Sequence, residues 1–233
     1  MTISEMKSIE DFEEAIEFHC RGKNFVVDGA LNADFYKEQE VKILFLYLET
    51  YGYESNRKTL MSKEFPNWIK SSGTKTFKQC ALLTKTIFDN IETLKTEKEI
   101  APMRSSYFRE LYPDDSLLID ELSKVAFVNI RKTSNANVSA DNNAILKESK
   151  ENKELLVRQI DLLNPDIVIT GGGLASNIFF NELCSEKGIS YKLHYPLVIK
   201  NKVIAPLKHL SRPGYKYLYE RAKLIAELTC SRT

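Results

Sequence analysis

The stretch "VKILFLYLE", Val41 to Glu49, is a continuous apolar and aromatic run with no helical stripe. A surface helix repeats its apolar residues every three to four positions, and a half-exposed strand alternates them. Neither pattern holds here. The run predicts a strand covered on both faces, the usual setting of a parallel sheet. Its tyrosine and phenylalanine then belong to the core, and its carboxyl end, at Glu49, opens onto a rim.

Working outward, three more runs read the same way. "VAFVNI" spans Val125 to Ile130, "DIVITGGG" runs from Asp166 into three glycines, and "KVIAPLKH" ends at His209. Pro206 is awkward inside the last of these, because a proline cannot donate to a strand ladder. Helical patterns lie between them. Phe77 to Leu94 places Ala81, Ile87 and Ile91 on one side, and "NKELLVRQIDLL" is stopped by Asn164 and Pro165. "LASNIFFNELCSE" reads as a further helix, and the closing helix aligns Leu218, Ala222, Ile225 and Leu228. Strands alternating with helices predict a three-layer α/β/α fold around a central four-stranded, mainly parallel sheet. "SYKLHYP", Ser190 to Pro196, reads as a short strand or a loop. The chain is expected to form a single domain over 1–233. Within it, 1–40 would be an N-terminal helical arm, marked by Ile9, Phe12, Ile16 and Cys20, and 55–120 a largely helical insertion.

Composition narrows the function. The 233 residues are 43% hydrophobic and 28% charged, with a formal net charge of +1. That balance excludes a strongly basic, whole-surface nucleic-acid binder but leaves room for a local basic groove. No apolar run is long enough to span a bilayer. The N-terminus lacks the basic and apolar regions of a signal peptide, so the expected compartment is the cytoplasm. Cys20, Cys80, Cys184 and Cys230 are scattered without a C-x-x-C pair and read as reduced, mostly buried thiols. Neither a cofactor nor a metal is expected, and the expected state is a monomer. Lys132 and the run "LKESKENKE" read as solvated faces.

In an open parallel sheet, ligands bind beyond the carboxyl ends of the strands. The residues there are Glu49 after the first strand, Asn129 at the end of the second, Gly171 to Gly173 after the third, and His209, Leu210, Ser211 and Arg212 after the fourth. One rim therefore collects a carboxylate, an amide, a helix N-terminus and an imidazole. Each has a bland reading as well: a polar residue ending a strand, a loop asparagine bonding its own backbone, a tight strand-to-helix turn, a surface histidine.

The order of these motifs resembles the uracil-DNA glycosylase superfamily. "YLETYG" is similar to its water-activating motif, with Glu49 at the acid position and Tyr51 beside it. "FVNIRK" looks like the base-reading motif, with Asn129 as reader. "ITGGGLAS" is similar to its glycine turn, and "KHLSRPG" to its His-Pro-Ser motif, with Leu210 where proline is usual. The resemblance covers Val41 to Gly214 in patches. It departs from the pattern in the longer acid and in Leu210, and the cysteine spacings do not match the iron–sulfur branches.

The resemblance implies a DNA glycosylase, with DNA presenting a flipped base as partner and no membrane. Glu49 would position water and stabilise the cationic sugar, and His209 would donate to the leaving base's carbonyl oxygen. Asn129 would read the base edge, and Tyr51, Tyr53, Phe65 or Trp68 would stack on the extruded ring. Gly172, Gly173, Ser211 and Arg212, with Lys208 and Lys216, would meet DNA phosphates, and Leu210 would wedge into the duplex. The target is uracil or a related modified base, including a hypermodified pyrimidine in foreign DNA. A non-catalytic nucleic-acid- or nucleotide-binding module on the same fold is the competing reading, and an unrelated doubly wound enzyme acting on nucleotides or sugars is a third.

Overall fold

The computed structural model describes residues 3–12, 28–49, 75–96, 115–133 and 141–232. Their elements, in chain order, are β1 (Gly29–Ala30), α1 (Ala33–Glu38), β2 (Ile43–Tyr47), α2 (Lys75–Thr96), α3 (Asp115–Ser123), β3 (Val125–Asn129), α4 (Asn142–Glu151), α5 (Lys153–Leu163), β4 (Ile167–Gly171), α6 (Gly173–Ile178), β5 (Leu197–Ile199), β6 (Lys202–Leu207) and α7 (Tyr215–Cys230). The strands form one mixed sheet in the order β1-β3-β2-β4-β6-β5.

The four apolar runs are the four parallel strands. β2 pairs with β3 on one side and β4 on the other, and β4 pairs with β6. The expected count of four is corrected to six, because two short antiparallel strands close the edges: β1 against β3 and β5 against β6. Two and three residues long, they carry no periodicity to read. β1 also adds a strand to the N-terminal arm that was expected to be helical. Of that arm's helical pattern, residues 9–12 are helical, while Ile16 and Cys20 lie outside the described residues. Of the 55–120 insertion, 75–96 and 115–120 are described and helical.

Period-2 alternation in fully buried strands explains the hydrophobic runs. Ile43, Phe45 and Tyr47 enter one core with Phe127, Ile169 and Ala205, packed against Leu83 and Ile87 of α2, Leu122 of α3 and Ala222 and Ile225 of α7. Leu44, Leu46, Val128, Val168 and Ile204 enter the other, against Ile145 of α4, Leu156 of α5 and Ile178 of α6. Each face of the sheet is therefore dry, and each strand must be apolar on both sides.

Two details match local chemistry. α5 ends on Asn164 in the left-handed conformation, a residue type that tolerates it, and Pro165 follows. Pro206 is accommodated because its carbonyl accepts from His194 N–H at 2.6 Å, on the side where the β5 ladder, starting at Leu197, has not yet begun. A strand residue's N and C=O point the same way, so the missing donor faces that open edge and not β4. "SYKLHYP" is a loop leading into β5. No described helix is long and apolar enough to cross a membrane.

Candidate functional site

The sheet order fixes where a site can form. From β2 the chain moves to β3 on one side, then returns to β4 on the other, and continues outward to β6. The strand order therefore reverses between β2 and β4, the place beyond whose carboxyl ends ligands bind in open α/β sheets. Glu49 follows β2, Asn129 ends β3, Gly171 to Gly173 follow β4, and His209 follows β6. All four predicted strand ends lie on this one rim.

Glu49 is closed off from solvent and paired. Its Oε2 accepts from Arg131 Nη1 at 3.0 Å. The pairing follows from register: β2 and β3 continue past their ends, with Arg131 N–H bonded to the Leu48 carbonyl at 2.8 Å. Arg131 also donates from Nε to Glu148 Oε1 at 2.8 Å and to Thr133 Oγ1 at 3.1 Å. The other carboxylate oxygen, Glu49 Oε1, is buried with no hydrogen-bond partner among the described residues.

Asn129 is buried and held by Asp28. Asp28 Oδ2 accepts from Asn129 N at 2.6 Å and from its Nδ2 at 3.2 Å. The side-chain oxygen of Asn129 is buried and has no partner among the described residues. Lys132, read from sequence as solvated, is instead 1% exposed and ion-paired with Asp28 at 2.7 Å. A buried ammonium needs such a partner, and this one comes from the residue just ahead of the edge strand β1.

His209 is half-buried. Burial, then the Arg212 charge, push its pKa below the ordinary histidine value, so the ring is neutral at pH 7. Ser211 N–H lies 3.3 Å from Nδ1 and Ser211 Oγ 2.8 Å from it. A backbone N–H only donates, so Nδ1 accepts and the ring proton sits on Nε2. Nε2 has no partner among the described residues. The ring also stands edge-on to Tyr47, with centroids 5.5 Å apart. The loop that carries it is pinned at Lys208 N–H to Tyr217 Oη, at the Pro213 carbonyl by Gln79 Nε2, and by an Arg212 N–H to His209 carbonyl turn.

Leu210 is fully buried in the α2/α7-side core. It anchors this turn, which corrects its sequence reading as a wedge: a side chain with no exposed surface cannot insert into a duplex. Ser211 is committed to His209 through both its N–H and its hydroxyl. Arg212 and Lys208 are exposed beside it.

The glycines have geometric reasons. A Cβ on Gly171 would fall 2.4 Å from Tyr47 Cε1, and Gly172 has φ +108°, which side-chain-bearing residues rarely adopt. A Cβ on Gly172 would also lie 3.7 Å from His209 Cβ, so the glycine turn and the histidine loop are neighbours. The helix that Gly173 opens is six residues long before widening into a π-type turn at Phe179–Leu183.

Tyr51, Tyr53, Phe65 and Trp68 lie outside the described residues. Sequence reading missed Arg131, Glu148, Asp28 and Gln159. "RK" directly after Ile130, two residues past Asn129, was the one local signal for the first. Among the described residues, no cluster of three or more His, Cys, Asp or Glu is placed to hold a metal. No family model matches this sequence, and a search of curated proteins finds no significant match.

Proposed function

We propose that this chain is a DNA glycosylase that hydrolyses the N-glycosidic bond of uracil or a related modified base, on a three-layer α/β/α fold of the uracil-DNA glycosylase type. One observation carries the reading. Among the described residues, two buried acceptors without partners, Glu49 Oε1 and Asn129 Oδ1, share a rim with a neutral imidazole whose Nε2–H is unpartnered there too. Buried polar atoms are nearly always satisfied; of eight exceptions among the described residues, these two stand at the ends of adjacent strands, where a ligand would supply their partners.

The chemistry suits these groups. Breaking the C1′–N bond sends its electron pair to the base and leaves a cationic sugar. Glu49 stabilises that charge and takes the proton of the attacking water through Oε1, while Arg131 keeps the other oxygen in place. His209 donates from Nε2 to the base's carbonyl oxygen as negative charge forms there, a role a neutral ring fills. Asn129 meets the base edge, and exposed Arg212 and Lys208 contact phosphates, making binding salt-dependent.

The test is base release from uracil-containing single- and double-stranded oligonucleotides, read by alkaline cleavage, with Glu49→Gln in parallel. Cutting by the wild type and not by the variant supports the proposal. A second reading, a non-catalytic nucleic-acid-binding module, draws on the closure of Glu49 from solvent by its Arg131 pair. DNA binding without cutting of uracil or of modified-pyrimidine substrates favours that module. Neither binding nor cutting removes both.

A further inference from the structure

Glu148 belongs to "LKESKENKE", the charged run that reads from sequence as a solvated face, yet its side chain is only 17% exposed. The reason is its place on α4. Ile145, about one turn earlier, is buried in the core on that side of the sheet, and residues three apart share a helix face. Glu148 Oε1 accepts from Arg131 Nε at 2.8 Å and from Thr133 Oγ1 at 2.7 Å. Thr133 Oγ1 in turn accepts from the same Nε at 3.1 Å. One N–H of the guanidinium is thus enclosed by two acceptors that are bonded to each other.

The guanidinium is divided between two carboxylates. Nε serves Glu148, and Nη1 serves Glu49 at 3.0 Å. Arginine and carboxylate often meet through two parallel N–H···O bonds. Here each carboxylate is bonded to Arg131 through one oxygen. The second oxygen of each, Glu49 Oε1 and Glu148 Oε2, is buried with no partner among the described residues. Unsatisfied buried acceptors cost stability, and a fork of Arg131 onto both Glu49 oxygens would recover part of it. The guanidinium is planar and rigid, so the turn that brings a second N–H to Glu49 displaces Nε as well. Glu148 and Thr133 oppose that turn.

We propose that Glu148 is a positioning residue: by holding Arg131 through Nε, it keeps the guanidinium off Glu49 Oε1 and leaves that buried oxygen open to a donor from outside the protein. That the donor is the attacking water rests on the glycosylase reading; the restraint on Arg131 does not. The role asks for an acceptor at position 148, not for a charge.

The experiment compares the wild type with Glu148→Gln, whose side-chain oxygen still accepts from Nε and from Thr133, and with Glu148→Met, similar in size and without an acceptor. Glu148→Ala is carried alongside, so that a methionine variant that fails to fold leaves a second acceptor-free chain to read. Two readouts are taken. The first is the crystal structure of each ligand-free protein, which shows how many Glu49 oxygens Arg131 holds. The second is the single-turnover rate of base release from a uracil-containing oligonucleotide, with its dissociation constant measured separately. The expected structures have one Glu49 oxygen held in the wild type and in Glu148→Gln, and both held in the acceptor-free variants. Base release is expected to fall about tenfold or more in the acceptor-free variants at unchanged oligonucleotide affinity, and to stay within about threefold of the wild type in Glu148→Gln. A merely structural glutamate would lower the melting temperature and leave Arg131 on one oxygen in the acceptor-free variants, which overturns the proposal. Equal rate losses in Glu148→Gln and Glu148→Met also overturn it, because charge and not the acceptor would then be what matters. So does a fork that forms without loss of rate in a protein whose wild type releases base. A fork that forms only in the acceptor-free variants, alongside a wild type that releases no base, upholds the positioning of Arg131 and discards the glycosylase reading.

Discussion

Arg131 and Glu49 meet at 3.0 Å across the extended ends of β3 and β2, and the glutamate side chain has no exposed surface. The guanidinium reaches onward to Glu148 at 2.8 Å. Removing Arg131 leaves a buried carboxylate without its cation, whereas Glu49→Gln removes the charge that needed it. Breaking a buried pair from one side costs about 3–5 kcal/mol. Arg131 keeps some solvent contact, so Arg131→Met is expected at the lower end, about 3 kcal/mol, and Glu49→Gln below that. Urea denaturation of the two variants measures the difference. Under the proposed function their effects on turnover differ as well: Glu49→Gln lowers base release about 100-fold or more at near-normal stability.

How much of this was legible follows from where each partner sits. Strands β2, β3, β4 and β6 are five or six residues long and buried on both faces, so each wrote an unbroken apolar run. Glu49, Asn129 and His209 were found because they follow those runs directly. Lys132 was misread because it stands in a Ser-, Asn- and Asp-rich stretch, and its burial is set by Asp28, 104 positions away. Arg131 and Glu49 are 82 positions apart and meet only through strand register. Leu210 looked like an exposed substitute for proline, yet tertiary packing buries it.

Histidine ionisation gives a pH prediction. Burial and the Arg212 charge hold the His209 pKa below its ordinary 6.5, and burial with Lys208 and Arg221 does the same for His194. In the unfolded chain both rings protonate more readily, so the unfolded state gains protons first as pH falls. This part of the stability is fully present above pH 6.5 and is lost as pH falls through the folded-state values. Thermal melts are expected to decline below pH 6.5, less steeply in His209→Gln. In NMR titrations, Arg212→Ala should move the His209 midpoint up toward 6.5. An unmoved midpoint would assign the depression to burial alone.

The strand-end glycine answers to Tyr47. An alanine Cβ at Gly171 would lie 2.4 Å from Tyr47 Cε1, and that ring is locked by Phe127 at 6.4 Å and by a 3.0 Å contact from its hydroxyl to Cys80 Sγ. Overpacking of this kind costs about 1–3 kcal/mol. Because Tyr47 also meets the His209 ring, Gly171→Ala is expected to shift the His209 NMR signals while lowering the melting temperature. Gly172→Ala has room, with its nearest neighbour at 3.7 Å, but is strained at φ +108°. Its expected cost is on the order of 1–2 kcal/mol, through the backbone alone.

Cysteine reactivity reads the same core from inside. Burial pushes the Cys80 thiol up to about 12, against a smaller opposing pull from the Tyr47 hydrogen bond. Thiolate is the reactive form, so Cys80 is inert at neutral pH while the fold is intact. Cys184 is buried as well, and Cys230 is half-buried. Thiol-reactive dye is therefore expected to reach Cys230 ahead of Cys184 and Cys80, with Cys80 labelled only as the protein unfolds. Tyr47→Phe deletes the hydroxyl and should cost about 1 kcal/mol. Prompt native-state labelling of Cys80 would contradict its placement.

Leu210 separates an anchor from a wedge. Its side chain is fully buried in the core that α2 and α7 form against the sheet, and it lies between His209 and Ser211, whose contact sets the imidazole tautomer. Truncation to alanine opens a cavity, and buried leucines lose about 2–5 kcal/mol on that change. A duplex wedge would instead leave stability untouched and weaken action on double-stranded DNA alone. The expected outcome for Leu210→Ala is a lower melting temperature, with base release falling in the same proportion on single- and double-stranded oligonucleotides. Leu210→Met conserves volume, should lose less than about 1.5 kcal/mol, and should restore most of the activity. A selective loss on duplex substrate at unchanged stability would return Leu210 to the DNA surface.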